Sequence, residues 1–306
     1  MNRLHDVFAA LADQTRVRIM LLVRDLQLSM GELADLLDQS QPRVSRHVRI
    51  LAEAGLVRRH KEGAWVFVGL SENAPMPEIY ALIEKLLPDH DLIAAERARL
   101  AQVRSERQKA IDDWFRANAG EWDLLRRLGG QDTEVEKAIT AAARDPKVGR
   151  LLDIGTGTGR LLELLHAESE EAIGVDRSPE MLRLARAKLS VEGSQAAEVR
   201  QADMRALPFD DHRFDTVTMH HVLHFADDPA AVIAEAARTV APGGKLLVAD
   251  YAPHAREELR SRYQHLRLGF EPDAVLGWLG AAGLKPRLLS SHPGPELSVT
   301  IWEGRR

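Results

Sequence analysis

Cysteine is absent from all 306 residues. Its absence excludes disulfides, thiolate metal sites, thiolate nucleophiles and cysteine-based arsenic chemistry. Aromatic residues make up only 5% of the chain, and no uncharged apolar run approaches the ~18 residues of a membrane helix. The amino-terminal stretch also lacks an apolar segment followed by small residues, so no secretory signal is indicated and a cytoplasmic protein is expected. Internal repeats and low-complexity tracts are missing as well. What the chain does have is length and apolar content, 45% hydrophobic, enough for two domains that each bury a core.

The net charge of -5 hides an asymmetry. Between Ser40 and Trp65 stand Arg43, Arg46, Arg49, Arg58, Arg59 and Lys61 against only Glu53 and Glu62. A basic patch on an acidic chain favours a polyanion, because phosphate contacts release counterions whatever the overall charge. A solvated charged face is the plain alternative.

The hydrophobic spacing around this patch is helical. Leu4, Val7, Phe8 and Leu11 form one stripe, and Val17, Met20, Leu21 and Leu22 a second. Ser29 with Glu32 reads as a capping box before Leu33, Leu36 and Leu37. After the tight connection Asp38-Gln39-Ser40, Pro42 suits the first turn of a helix that buries Val44, Val48 and Leu51 and ends near Gly55. Burying those three leaves Gln41, Arg43, Ser45, Arg46 and Arg49 for a DNA groove, where arginine grips guanine and glutamine reads adenine. His47 is ambiguous between a phosphate contact and packing against the preceding helix. Leu56–His60 and Ala64–Leu70 read as a hairpin whose Arg58, Arg59 and Lys61 reach phosphates. Ile79, Leu82, Ile83 and Leu86 form a stripe expected to serve a dimer surface. The stretch from Leu92 to Arg116 has few apolar positions and reads as an exposed connecting helix.

Phe8–Ile19, Val44-Ser45-Arg46-His47-Val48 and Ala54-Gly55-Leu56-Val57 resemble the ArsR-type winged helix-turn-helix regulators, over about residues 1–88. The resemblance implies a homodimer that represses a promoter on double-stranded operator DNA until an effector binds. Thiol-type sensors of that family carry cysteines where this chain has Leu28-Ser29-Met30-Gly31-Glu32, and no His-x-x-His follows. No metal is therefore expected.

A second pattern begins at residue 149. Leu151–Ile154, Ala172–Val175, Thr216–Met219 and Lys245–Ala249 read as strands alternating with helices, as in a parallel sheet covered on both faces. After the first comes Gly155-Thr156-Gly157-Thr158-Gly159, a turn that lets backbone approach a ligand at a helix N-terminus. A dinucleotide fingerprint would place its third glycine where Arg160 stands, so NAD is disfavoured against a smaller adenosyl ligand. Asp176 closes the next strand at the separation where a carboxylate accepts ribose hydroxyls. Asp203 and Met204 close a third strand-like segment, placed for an adenine amino group and the ring face. Each aspartate alone also reads as a strand-end cap or turn.

Asp153-x-Gly155-x-Gly157-x-Gly159, Asp176, Ala202-Asp203-Met204, Leu207-Pro208-Phe209 and Pro242-Gly243-Gly244-Lys245 together resemble the class I S-adenosylmethionine-dependent methyltransferases, over residues 145–306. The resemblance implies a Rossmann-like α/β fold with a seven-stranded sheet. It implies S-adenosylmethionine or S-adenosylhomocysteine as ligand, held by Asp153, Gly155, Thr156, Gly157, Gly159, Asp176, Arg177, Asp203, Met204 and His220. Ala117 to Arg127, with Trp122 added to the ligand set, is similar to the lid helix of relatives. The expected organisation is residues 1–88 for DNA binding and dimerisation, 89–144 for a helical connector and lid, and 145–306 for the methyltransferase-like domain.

Catalysis or sensing stays open at this level. Methyl transfer needs mainly alignment, with a base where the acceptor loses a proton. His220, His221, His224 and Tyr251 sit at or beyond strand ends; His221 is the candidate base, against a structural hydrogen-bonding role. Cytosine C5 methylation would need a cysteine, and no Asp-Pro-Pro-Tyr-like loop is present, so DNA is expected to be read and not methylated. Two main readings follow: a repressor with an adenosyl effector, and a small-molecule methyltransferase whose N-terminal domain serves autoregulation. A third makes the N-terminal domain a dimerisation scaffold only.

Overall fold

The computed structural model describes residues 2–24, 26–62, 65–71, 76–86, 90–119, 132–191 and 197–306. The chain divides into two compact units, Met1–Gln108 and Lys109–Arg306. Among the described residues no helix is long and apolar enough to cross a membrane.

The first unit runs α1 (Asn2–Leu11), α2 (Gln14–Leu22), β1 (Leu28–Ser29), α3 (Met30–Leu37), α4 (Gln41–Glu53), β2 (Val57–Glu62), β3 (Trp65–Leu70), α5 (Met76–Leu86) and the first part of α6 (His90–Asn118). Local chemistry sets these boundaries. Asp13 caps α2 by accepting the Arg16 amide at 3.1 Å. The Ser29–Glu32 capping box forms as read: the Glu32 amide donates to Ser29 Oγ (3.2 Å) and the Ser29 amide to the Glu32 carboxylate (2.7 Å). Asp38, at φ 52, ends α3, and Gly55, at φ 72, ends the turn after α4. The hairpin β2–β3 pairs Arg59 with Val68 and Lys61 with Val66, and β1 adds to β3 through Leu28 and Val68. Leu22, Leu33, Val44, Val48, Leu51 and Val68 fill the core between helices and sheet.

Two expectations are corrected here. Ile79 and Ile83 lie in this unit's own core, and only Leu82 of the described stripe is exposed. The helix α6 is not simply an exposed connector, since Leu100 joins the same core and Glu96 is 1% exposed beneath Arg18. Arg107 adds a bond from Nε to Glu32 at 2.9 Å, and Arg99 donates to the Leu36 carbonyl at 3.2 Å. Ion pairs bring a polar helix into the fold where apolar spacing gives no warning.

The second unit takes the end of α6 and continues with α7 (Asp132–Arg144), β4 (Gly149–Ile154), α8 (Arg160–Leu165), β5 (Ser169–Asp176), α9 (Pro179–Val191), β6 (Ala197–Gln201), β7 (Phe214–His220), α10 (Pro229–Thr239), β8 (Val240–Tyr251), α11 (Glu257–Tyr263), α12 (Pro272–Ala281), β9 (Lys285–His292) and β10 (Val299–Arg305). Its seven-stranded sheet has the order β6-β5-β4-β7-β8-β10-β9, with β10 antiparallel to both neighbours. Alternate residues serve opposite faces: Leu152, Ile154, Leu246 and Val248 meet α10 and α12, while Leu151, Leu247 and Ala249 meet α7, α8 and α9. The helix α7, expected within a connector and lid, is instead a core helix that buries Val135, Ile139 and Ala143. Lys245, 3% exposed, holds its C-terminal end, donating from Nζ to the carbonyls of Ala143 (2.6 Å) and Asp145 (2.7 Å). Chain order reverses at β4, whose neighbours are β5 and β7. That reversal opens the crevice where ligands of such sheets bind.

Candidate functional site

In the first unit, α4 divides cleanly. Val44, Val48 and Leu51 are fully buried, and Gln41, Arg43, Ser45, Arg46 and Arg49 are exposed. Arg58, Arg59 and Lys61 are exposed on the hairpin. His47 is placed differently: its side chain is 12% exposed and its Nδ1 lies 3.6 Å from Asp13, so it packs toward the α2 cap. Burial pulls its pKa below the usual value, against the Asp13 charge that favours its protonation. Of the two readings of His47, packing is the one the geometry favours.

In the second unit, the loop after β4 sits at the reversal point. Gly155, Gly157 and Gly159 have φ of 68, 54 and 83, the left-handed region where a side chain is strained. At Gly155 there is also no space, because a Cβ would stand 2.3 Å from Val222 Cγ2 and 2.7 Å from Val222 Cβ. The Gly157 amide donates to Asp176 Oδ2 at 2.9 Å and the Ser178 amide to Oδ1 at 2.8 Å. The Arg177 amide is a third donor to this carboxylate, which has about four acceptor sites and so keeps capacity for a ribose hydroxyl. Burial pushes the Asp176 carboxyl above its usual range despite these amide donors. Thr156 Oγ1 is buried beside them with no hydrogen-bond partner among the described residues. This set of donors and acceptors fits an adenosyl ligand at the sheet's C-terminal edge.

Asp203 lies two residues beyond the end of β6. It accepts from Arg205 (2.7 Å) and Arg177 (3.1 Å), and Arg177 also lies 3.3 Å from Asp112 of α6. Burial opposes ionisation of Asp203, but Arg205 and then Arg177 hold its carboxyl below the usual value. Met204 packs partly buried against the apolar core. Asp153 turns inward, 2% exposed, and accepts from Thr218 Oγ1 at 2.7 Å, so it braces β4 against β7. Trp122 and the lid segment beyond residue 119 lie outside the described residues.

Past β7 the site turns aromatic. His220 is tilted 4.5 Å from His221, and the His221 ring lies 4.6 Å from Tyr251. Phe115 and Trp114 of α6 meet Phe225 at 5.0 Å and Tyr263 at 5.8 Å. His224 Nδ1 is hydrogen-bonded to Asp250 Oδ1 at 2.7 Å. Burial drives the His224 pKa down to about 3, with the His254 charge adding to the effect, and drives the Asp250 carboxyl up.

The family described as "Methyltransferase domain" matches residues 152–248, and "Bacterial regulatory protein, arsR family" matches residues 13–59. The demethylmenaquinone methyltransferase of Thermus thermophilus is 34% identical over 192 residues, 60% of this chain and 86% of that protein. The chain belongs to the class I S-adenosylmethionine-dependent methyltransferases, fused to an ArsR-type helix-turn-helix. For the helix-turn-helix part, the arsenical resistance operon repressor of Escherichia coli K12 is 46% identical over 70 residues, 22% of this chain and 60% of that protein. The chain likewise spans 60% of the length of another curated relative it matches, a ubiquinone/menaquinone biosynthesis C-methyltransferase of Desulfotalea psychrophila. Among solved structures, the magnesium protoporphyrin IX methyltransferase of Synechocystis PCC 6803, with bound SAH, shares the fold: TM-score 0.53, 19% identity, 65% of this chain and 99% of that one.

Three pairings at the site escape sequence reading. Thr218, the partner of Asp153, sits on β7, with β5 and β6 intervening in the chain. Asp112 and Phe115 belong to a helix that reads as connector. The His224–Asp250 pair joins residues 26 apart, and only the adjacency of β7 and β8 brings them together.

Proposed function

We propose that this chain is a DNA-binding transcriptional regulator, a repressor, whose methyltransferase-like domain takes S-adenosylmethionine or S-adenosylhomocysteine as effector. The observation that carries the reading is the run Asp112–Arg177–Asp203. Asp203 is the acceptor assigned to the adenine amino group. Arg177 ties it to α6, and α6 is the helix whose earlier turns place Leu100 and Glu96 in the DNA-binding unit. A ligand that takes Asp203 changes what Arg177 offers Asp112. The exposed arginines of α4 and the hairpin supply base and phosphate contacts. As the ArsR-type resemblance implies, two copies act together on a two-fold operator, with the exposed Phe8 and Leu82 as apolar surface for pairing.

Calorimetry with both adenosyl ligands, with and without operator DNA, tests this. Coupling requires that ligand affinity differ between DNA-free and DNA-bound protein, and that operator affinity shift by the same factor. Operator affinity unchanged at saturating levels of both metabolites defeats the effector role. A second reading is favoured by the buried imidazole and aromatic cluster beside the loop: a small-molecule methyltransferase with an autoregulatory DNA-binding domain. Label transferred from donor to a metabolite extract supports it, and none across broad conditions counts against it.

A further inference from the structure

Beyond the end of β7 the chain gathers side chains that the effector reading leaves unused. His221, His224 and Asp250 each offer one ligand atom, and these atoms all lie within 4.8 Å of one another. The three residues are 6%, 1% and 0% exposed. Burying such groups is costly unless partners are supplied, and the supply is incomplete. His224 Nδ1 bonds Asp250, yet among the described residues His224 Nε2 has no hydrogen-bond partner, and neither has Nδ1 of His265, stacked 4.0 Å away. The backbone is fixed around them: His221 is held at φ 53 with its amide on the Ala249 carbonyl, and the amides of Leu266 and Arg267 both donate to the His224 carbonyl. A non-glycine residue in that conformation persists where its surroundings impose it, a pattern that clusters at functional sites.

We infer that His221, His224 and Asp250 bind a divalent transition cation. Two imidazoles and a carboxylate are a zinc-type donor set that leaves a coordination position open. Bonds of about 2.0–2.1 Å in a tetrahedron place ligand atoms about 3.3 Å apart. Binding therefore requires the three side chains to close from a spacing of up to 4.8 Å. The site is separate from the thiol chemistry that this cysteine-free chain lacks, and it stands whether the adenosyl ligand is substrate or signal.

The test uses untagged full-length protein stripped with chelator, then titrated with Zn2+ by calorimetry and with Co2+ by visible absorption. One equivalent per chain is expected, with a Co2+ band that Zn2+ abolishes. His221→Asn and Asp250→Asn should each weaken binding at least about tenfold. Asparagine tolerates the left-handed conformation, so His221→Asn keeps the fold and decides the matter if Asp250→Asn does not. Binding unchanged in His221→Asn, or a wild-type chain that takes up no ion at micromolar Zn2+, overturns the assignment.

Discussion

Replacing Gly155 by alanine puts the loop's geometry to a quantitative test, with Gly243→Ala as its control. Both glycines have positive φ, 68 and 77, so each alanine meets the same left-handed penalty of ~1–2 kcal/mol. They differ in space. Among the described residues nothing lies within 4 Å of a Cβ at Gly243, whereas at Gly155 it would meet Val222 Cγ2 at 2.3 Å and Val222 Cβ at 2.7 Å. Turning Val222 about χ1 moves its methyl groups but not its Cβ, so relief requires the backbone after His221 to shift by roughly 1 Å, given contact distances of about 3.5–4.0 Å. Overpacking of this kind costs ~1–3 kcal/mol beyond the conformational term. At 1.4 kcal/mol per decade, that surplus, felt at the ligand site, weakens adenosyl binding by roughly 5- to 150-fold. Calorimetry with S-adenosylhomocysteine, beside thermal melts of both variants, reads the two effects. Gly155→Ala binding within twofold of wild type, or melting together with Gly243→Ala, refutes the packing role assigned to Val222.

Asp176→Asn removes the charge that accepts from Gly157 and Ser178; adenosyl affinity should fall by ~1.5–3 kcal/mol, about 10- to 150-fold, by calorimetry. Arg46→Ala should cost ~1–3 kcal/mol in operator binding by fluorescence anisotropy, while His47→Gln, at a side chain turned to Asp13, leaves base preference unchanged. Glu32 carries the pH dependence of the first unit. Burial disfavours its charge, but Arg107 and the Ser29 donors more than offset that and hold its pKa below 4.5. A depressed folded pKa means stability present above 4.5 and lost as pH falls through the folded value. The melting difference between wild type and Glu32→Gln should therefore shrink on going from about pH 6 to about pH 3; a constant difference contradicts the ion pair's role.

What could be read before folding was whatever local chemistry specifies. Ser29 and Glu32 stand three apart, and that spacing is the capping box. Val44, Val48 and Leu51 recur at helical period, which fixed the exposed face of α4 in advance. The strand alternation and the order of Gly155, Asp176 and Asp203 likewise carry the sheet and its edge. Hidden from that reading is everything stabilised by a distant partner. Glu96 looks solvated until Arg18, 78 residues earlier, meets it. The stripe at Ile79 and Ile83 looks like a surface for a second copy because the core that receives it is assembled from α2, α3 and the hairpin. Asp153, assigned to ligand by its place in the motif, also meets Thr218 across the sheet, a partner 65 residues on that the motif does not name.

The proposed signal has to meet an energetic scale. Asp112, Arg177 and Asp203 are each about a third or more exposed at the side chain, and such pairs are worth only ~0–1 kcal/mol. Allosteric couplings run at ~1–3 kcal/mol, so exchange of one ion pair does not supply a full response. The same end of α6 also carries Phe115 against Phe225 and Trp114 against Tyr263. Aromatic pairs contribute ~0.5–1.5 kcal/mol each beyond their burial, and Phe225 belongs to the turn that includes His224, three residues after the Val222 that packs on Gly155. On the proposed reading, a ligand on the loop would bear on this end of α6 by two routes, a charged one through Asp203 and an apolar one through Val222 and Phe225. Salt separates them: raising ionic strength screens the exposed pair and spares the aromatic contacts. Coupling that survives high salt in calorimetry belongs to the aromatic route, and coupling that vanishes belongs to Arg177.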